Sequence, residues 1–396
     1  MKQEMINNNT KPEWIISSKA KNLFVSFMFI GVVAFGFTMI TDSLRAWSSF
    51  LVSFFFFTSL ALGGLFFVAL QFLTNAGWSV NIRRYAEAMS SFLPWAFGLS
   101  IVFFLGAKNI YIWFDASNMI GDHALEGKIS YLNPTSFFIR LVLFFSAWIV
   151  LQKWIMKITL ADKAKDMYKK VVKPSVIFLI VFALSYSLFS VDLLMSLNPH
   201  WYSTIFGVYN FAGLFQSTLA FIILFVLYAL KKSWIKGYVS ENHLHDLGKL
   251  LFGFTTFWAY IAFSQFMLIW YANIPEETIY FLDRFNGEWI WVSIALLVFK
   301  FIVPFIALLP QWAKRNPSHL CAVSFLILFM QFIDVYWMVY PHYSKSVIKF
   351  SFAEVGIFLG FLGLFLYTST KFLEKHSLIP KDDPFHDEST SHEVVY

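Results

Sequence analysis

Val191–Tyr209 reads VDLLMSLNPHWYSTIFGVY, and Ile333–Ser344 reads IDVYWMVYPHYS. In each, an aspartate sits inside an apolar run, Pro follows seven residues later and His eight, and a Tyr-Ser pair closes the corner. Asp192 and Asp334 therefore read as one position in two halves of an internally repeated chain. Internal repeats take precedence in such a reading because they dictate architecture.

The runs carrying these aspartates are two of ten. A bilayer core about 30 Å thick asks for roughly 18 or more apolar residues per helix. Such runs fall at 22–41, 48–74, 90–107, 134–156, 174–197, 204–230, 248–272, 287–309, 318–340 and 350–372. Hydrophobic residues make up 58% of the chain and charged residues 14%, too few to solvate ten such helices in water. The sequence predicts an all-α integral membrane protein with ten transmembrane helices. Residues 1–21 read as a cytoplasmic segment, 22–372 as the membrane domain and 373–396 as a polar, mobile cytoplasmic tail. The first run is longer than a signal-peptide core and no small-residue cleavage site is evident, so it reads as a retained helix.

Further echoes support the repeat. Gly64-Leu65-Phe66 in helix 2 matches Gly213-Leu214-Phe215 in helix 6, and Trp95-Ala96-Phe97 in helix 3 matches Trp258-Ala259-Tyr260 in helix 7. All matches are four helices apart, and an even offset keeps both halves in one orientation, which makes the repeat parallel. The expected architecture is two four-helix bundles, helices 2–5 and 6–9 (about 48–197 and 204–340), with helices 1 and 10 outside.

Basic residues set the orientation. The segments on the side of the N-terminus carry 19 Lys and Arg, the opposite segments 6, and Arg140, Lys153, Lys249, Lys300 and Lys371 lie within helices. This bias places both termini in the cytoplasm and the Pro-His corners outside. The formal charge of +6 is accounted for by these helix ends and gives no reason to expect nucleic acid. The basic stretch 157–173, with Lys163, Lys165, Lys169, Lys170 and Lys173, is expected to face anionic headgroups. The single cysteine, Cys321, excludes an internal disulfide and cysteine-based metal or iron–sulfur sites within the chain.

Ionisable groups at membrane depth are expensive and usually face the bundle interior. Lys300 is the deepest, and with Asp334, Tyr260, Ser264, Gln265 and Gln331 it forms the candidate proton path. Asp192, His200, Tyr202 and Gln216 form a candidate polar or quinone cavity. The alternative for Lys300 and Asp334 is an interhelical ion pair that locks the bundle. A lysine at mid-membrane is destabilised in its charged form and a nearby carboxylate restores it. Direct, water-sealed pairing would therefore favour the lock, and a bridged separation the relay. Arg140 and Glu354 read as side chains reaching to the interface. No histidine lies deep enough to ligate a membrane haem, and His200 and His342 read as hydrogen-bonding groups at the corners. No haem or metal is expected in this chain.

At 198–209, NPHWYSTIFGVY, and 257–278, FWAYIAFSQFMLIWYANIPEET, the chain resembles the ActF membrane subunits of bacterial alternative complex III, a quinol:cytochrome c oxidoreductase. That family in turn resembles the membrane subunit of polysulfide reductase, which has two four-helix bundles. The resemblance implies an inner-membrane subunit without its own cofactor. It also implies partners: a paralogous quinol-binding membrane subunit and periplasmic subunits with iron–sulfur clusters and c-type haems. Quinol contact and proton conduction are further expectations. Two other classes compete with it, an ion-coupled secondary transporter using the paired aspartates and a structural scaffold for peripheral partners. Deep transporter sites usually come with matching Gly or Pro breaks in both halves, whereas Pro94 and Pro304 do not correspond.

Overall fold

In the computed structural model, residues 13–161 and 166–393 are described. Lys163 and Lys165 lie outside them. Ten helices are long and apolar enough to cross a membrane, and there is no strand among the described residues. Numbered helices 1–10, they are Ser18–Thr41, Ser43–Leu73, Gly77–Asn109, Pro134–Thr159, Met167–Leu197, Phe206–Lys231, Glu241–Ala272, Trp289–Leu308, Pro317–Tyr343 and Phe352–Lys375. All ten apolar runs correspond to these helices.

Helix 2 is the central post. It is the most buried of the ten and packs against helices 1, 3, 5, 6, 9 and 10. Its apolar residues run on all faces, the pattern of a helix surrounded by others. Helix 3 packs on 2 and 4, and helix 4 on 5; helix 6 packs on 7 and 9, and helix 8 on 7 and 9. Helix 5 meets helix 6, and helix 2 meets helix 9. Helices 1 and 10 pair along their length at the periphery. Their backbones come close at Gly31, where an added Cβ would fall 2.4 Å from the Cα of Gly360.

Two helices are irregular in mid-course. Helix 3 is interrupted at Ser91 and Phe92, just before Pro94. Helix 8 holds a π-helical stretch from Leu296 to Ile302 followed by Pro304. Pro304 has no N–H to give the carbonyl four residues back, which is that of Lys300. The Gln216 amide from helix 6 reaches this carbonyl at 3.5 Å.

The tail departs from expectation. Rather than extending as mobile chain, 376–393 lies folded across the end of the bundle that carries the termini. Asp383 accepts a 2.6 Å bond from Arg83 of helix 3, Leu378 and Ile379 are buried, and Ser389 donates to the Trp78 carbonyl. His392 pairs with Asp246 of helix 7 at 2.6 Å. This cover explains why helix 3 begins thirteen residues before its apolar run. Its first turns carry Asn81, Arg83, Arg84 and Glu87, all buried, and a buried polar group needs a partner.

Candidate functional site

The two aspartates each sit in a three-part cluster. Asp192, near the end of helix 5, accepts from Arg140 Nε at 2.7 Å and Nη2 at 3.1 Å, and from the Tyr131 hydroxyl at 2.8 Å. The Arg140 guanidinium also lies over the Tyr131 ring, 3.8 Å from its centroid. Two N–H groups on one carboxylate form the planar fork that makes arginine pairs strong and directional. Arg140 therefore turns inward to Asp192 rather than outward to the interface. Glu354 does likewise: it pairs with Arg45 at 2.8 Å and accepts from the Tyr340 hydroxyl at 2.5 Å.

Asp334, on helix 9, accepts from Lys300 Nζ of helix 8 at 2.5 Å and from the Tyr209 hydroxyl of helix 6 at 2.5 Å. Lys300 also donates to Gln331 Oε1 at 2.6 Å, and its ammonium lies 4.3 Å from the Trp258 ring centroid. Carboxylate, amide oxygen and the negative face of an indole together surround the cation. Gly213 of helix 6 makes the room, since a Cβ there would meet Gln331 Oε1 at 2.7 Å. Neither Lys300 nor Asp334 has any exposed side-chain surface. Direct pairing sealed from water is the geometry of a lock.

Of the candidate proton path, Lys300, Asp334 and Gln331 come together. Gln265 is buried but bonds Ser203 at 3.1 Å, Ser264 is half-buried, and Tyr260 is 63% exposed on the outer surface. Helix 7 buries Trp258, Ile261, Gln265 and Ile269, a stripe at spacings of three and four. At about 100° per residue, Tyr260 and Gln265 lie about 140° apart around the helix. They do not share a cavity.

The candidate quinone cavity does not assemble either. Asp192 is held by Arg140 and Tyr131, while Gln216 binds Thr255 at 3.0 Å beside the Lys300 carbonyl. His200 and Tyr202 sit at the exposed corner. There His200 pairs with Asp122 at 2.6 Å, and Lys128 donates to the Pro199 carbonyl at 2.5 Å. The His200 bond holds the Asp122 carboxyl below the usual range, helped by the backbone N–H groups of Ala124 and Leu125 against a smaller effect of desolvation. His342, at the second corner, meets the Ile110 carbonyl at 3.1 Å. Both corner histidines act as hydrogen-bonding groups onto the loop that follows helix 3.

Sequence reasoning missed Tyr131, Tyr209 and Arg284. Tyr209 closes the quoted stretch, nine residues beyond His200, a signal present in the sequence. Arg284 lies on a short helix between helices 7 and 8, Pro275–Phe285, and is fully buried. It donates to the Tyr280 and Met338 carbonyls at 2.8 and 2.9 Å and lies 3.4 Å from the Tyr280 ring centroid. Burial pushes the Tyr280 phenol up to about 12, opposed by the charge of Arg284. Among the described residues no group of three or more His, Cys, Asp or Glu is placed to hold a metal ion. No protein-family model and no curated protein matches the chain.

Proposed function

We propose that this chain is an integral-membrane subunit of a quinol:cytochrome c oxidoreductase of the alternative complex III type, in a bacterial inner membrane with both termini cytoplasmic. In this reading helices 2–5 and 6–9 are parallel copies of one four-helix bundle. The observation that carries it is the pair of aspartate–cation contacts, between helices 4 and 5 and between helices 8 and 9, each with a tyrosine hydroxyl on the carboxylate and each beneath a Pro-His corner. The neighbour pattern supports the same relation, because contacts 2–3–4–5–2 repeat as 6–7–8–9–6, and contact 5–6 is mirrored by 9–2.

The chain's own part is to hold a rigid, cofactor-free bundle against partner subunits that carry iron–sulfur clusters, c-type haems and the principal quinol site. Buried ion pairs suit that part, because losing either partner is costly whereas the intact pair fixes one helix register. A second reading, proton conduction, has one observation in its favour. Tyr209 extends the Lys300–Asp334 pair by a further 2.5 Å hydrogen bond, giving a short donor–acceptor chain.

Purification from native membranes tests the assignment. Multihaem and iron–sulfur subunits are expected to co-purify with the chain, and its recovery as a lone protein overturns the reading. The relay is tested separately with Asp334→Asn in the assembled complex. Unchanged quinol turnover and unchanged proton uptake in proteoliposomes would eliminate it.

A further inference from the structure

An apolar groove opens towards lipid between helices 1, 6, 9 and 10, with Phe56 and Phe57 of helix 2 at its floor. Its volume is about 750 Å³. Along helix 10 it runs from Val355 to Thr370, about 22 Å at 1.5 Å per residue. The lining is almost wholly apolar along this length, which suits a hydrocarbon chain. A half-bilayer core is about 15 Å deep, so the groove can take the full acyl chain of a lipid in one leaflet.

The mouth indicates which lipid. At the end bearing the termini, Trp14 packs against Tyr228 and Trp234, with ring centroids 5.3 and 4.9 Å apart. Such aromatic clusters sit at headgroup level. Lys231 and Lys232 are exposed beside this cluster, and the Lys232 ammonium lies 5.8 Å from the ring centroid of Tyr228, itself a wall of the groove. Neither lysine is joined to a carboxylate by any ion pair among the described residues. We propose that the groove holds one acyl chain of an anionic phospholipid whose phosphate is met by Lys231 and Lys232. A neutral headgroup would leave that charge unused.

The test is native mass spectrometry of the full chain released from nanodiscs of phosphatidylcholine containing a minority of phosphatidylglycerol. Wild-type protein is expected to retain one phosphatidylglycerol preferentially. Lys231→Gln with Lys232→Gln should lower that preference by about fivefold per lysine, the factor given by ~1 kcal/mol per basic residue near an anionic surface. Leu224→Trp and Leu359→Trp, each at a half-buried groove position, should independently remove the retained lipid. Val32→Trp, on the outer face of helix 1, should not. Undiminished preference in the lysine variant, or lipid retained in both groove-filled variants, overturns the proposal.

Discussion

In the first half Asp192 meets an arginine whose side chain is 14% exposed, whereas in the second Asp334 meets a lysine with no exposed surface at all. The two cations differ in what they need. Arginine's fork satisfies one carboxylate with two N–H groups and keeps its charge delocalised, which suits a site near the membrane edge. Lysine is a compact charge with three donors, and at depth each needs a partner. Lys300 finds Asp334, Gln331 and the face of Trp258. The two aspartates are thus neutralised in two ways, and the Lys300–Asp334 pair is fully buried.

The comparison predicts unequal penalties. Lys300→Met strands Asp334 at full burial and should destabilise the chain by ~3–5 kcal/mol, the range for breaking a buried pair from one side. Adding Asp334→Asn should recover most of that loss, because the residual charge is then gone. Thermal unfolding in detergent reads both values. A double variant no better than the single one would show that the loss does not come from a stranded Asp334 charge.

Much of this was legible beforehand. Ten spans follow from hydropathy because a membrane helix must be apolar over its full length. Asp192, Asp334 and Lys300 stood out because charges at depth are rare. Direction was harder to read than depth. Arg140 and Glu354 lie where a long side chain could turn either way, and only the folded positions of Asp192 and Arg45 decide it. Tyr260, Ser264 and Gln265 read as one side of helix 7, but a spacing of five turns Gln265 about 140° away from Tyr260. The tail was misread for a different reason. Its polar composition resembles that of unstructured chain, but Asp383, Ser389 and His392 complement polar groups at the starts of helices 3 and 7, a match between segments some 300 and 150 residues apart.

Asp192→Asn should cost less than the Lys300 change, about 1–3 kcal/mol. That places it between the ~0–1 of exposed pairs and the ~3–5 of buried ones. Arg140 keeps the Tyr131 carbonyl at 3.0 Å and the Tyr131 ring, and it can reach interfacial water. The same unfolding assay, run on both variants side by side, measures the difference. Equal penalties in the two halves would mean that depth does not set the cost here.

The smallest effect is expected where the first half's corner meets water. Asp122 accepts from His200, and its folded carboxyl titrates below the unfolded value of ~3.9. A carboxylate depressed on folding contributes stability that is present above its unfolded pKa and lost as pH falls through its folded one. Both groups are substantially exposed, so the consequence is local: the segment 112–128 should loosen on acidification while the helices persist. Hydrogen exchange of that segment, corrected for the intrinsic rate at each pH, reads this directly. Asp122→Asn should give a segment that is already loosened near neutrality and no longer responds to acid. The contact from His342 to the Ile110 carbonyl contains no carboxylate, so the second corner has no counterpart of the Asp122 titration. An Asp122→Asn profile that still follows the wild-type curve would move the acid response to another group and leave the two corners equivalent.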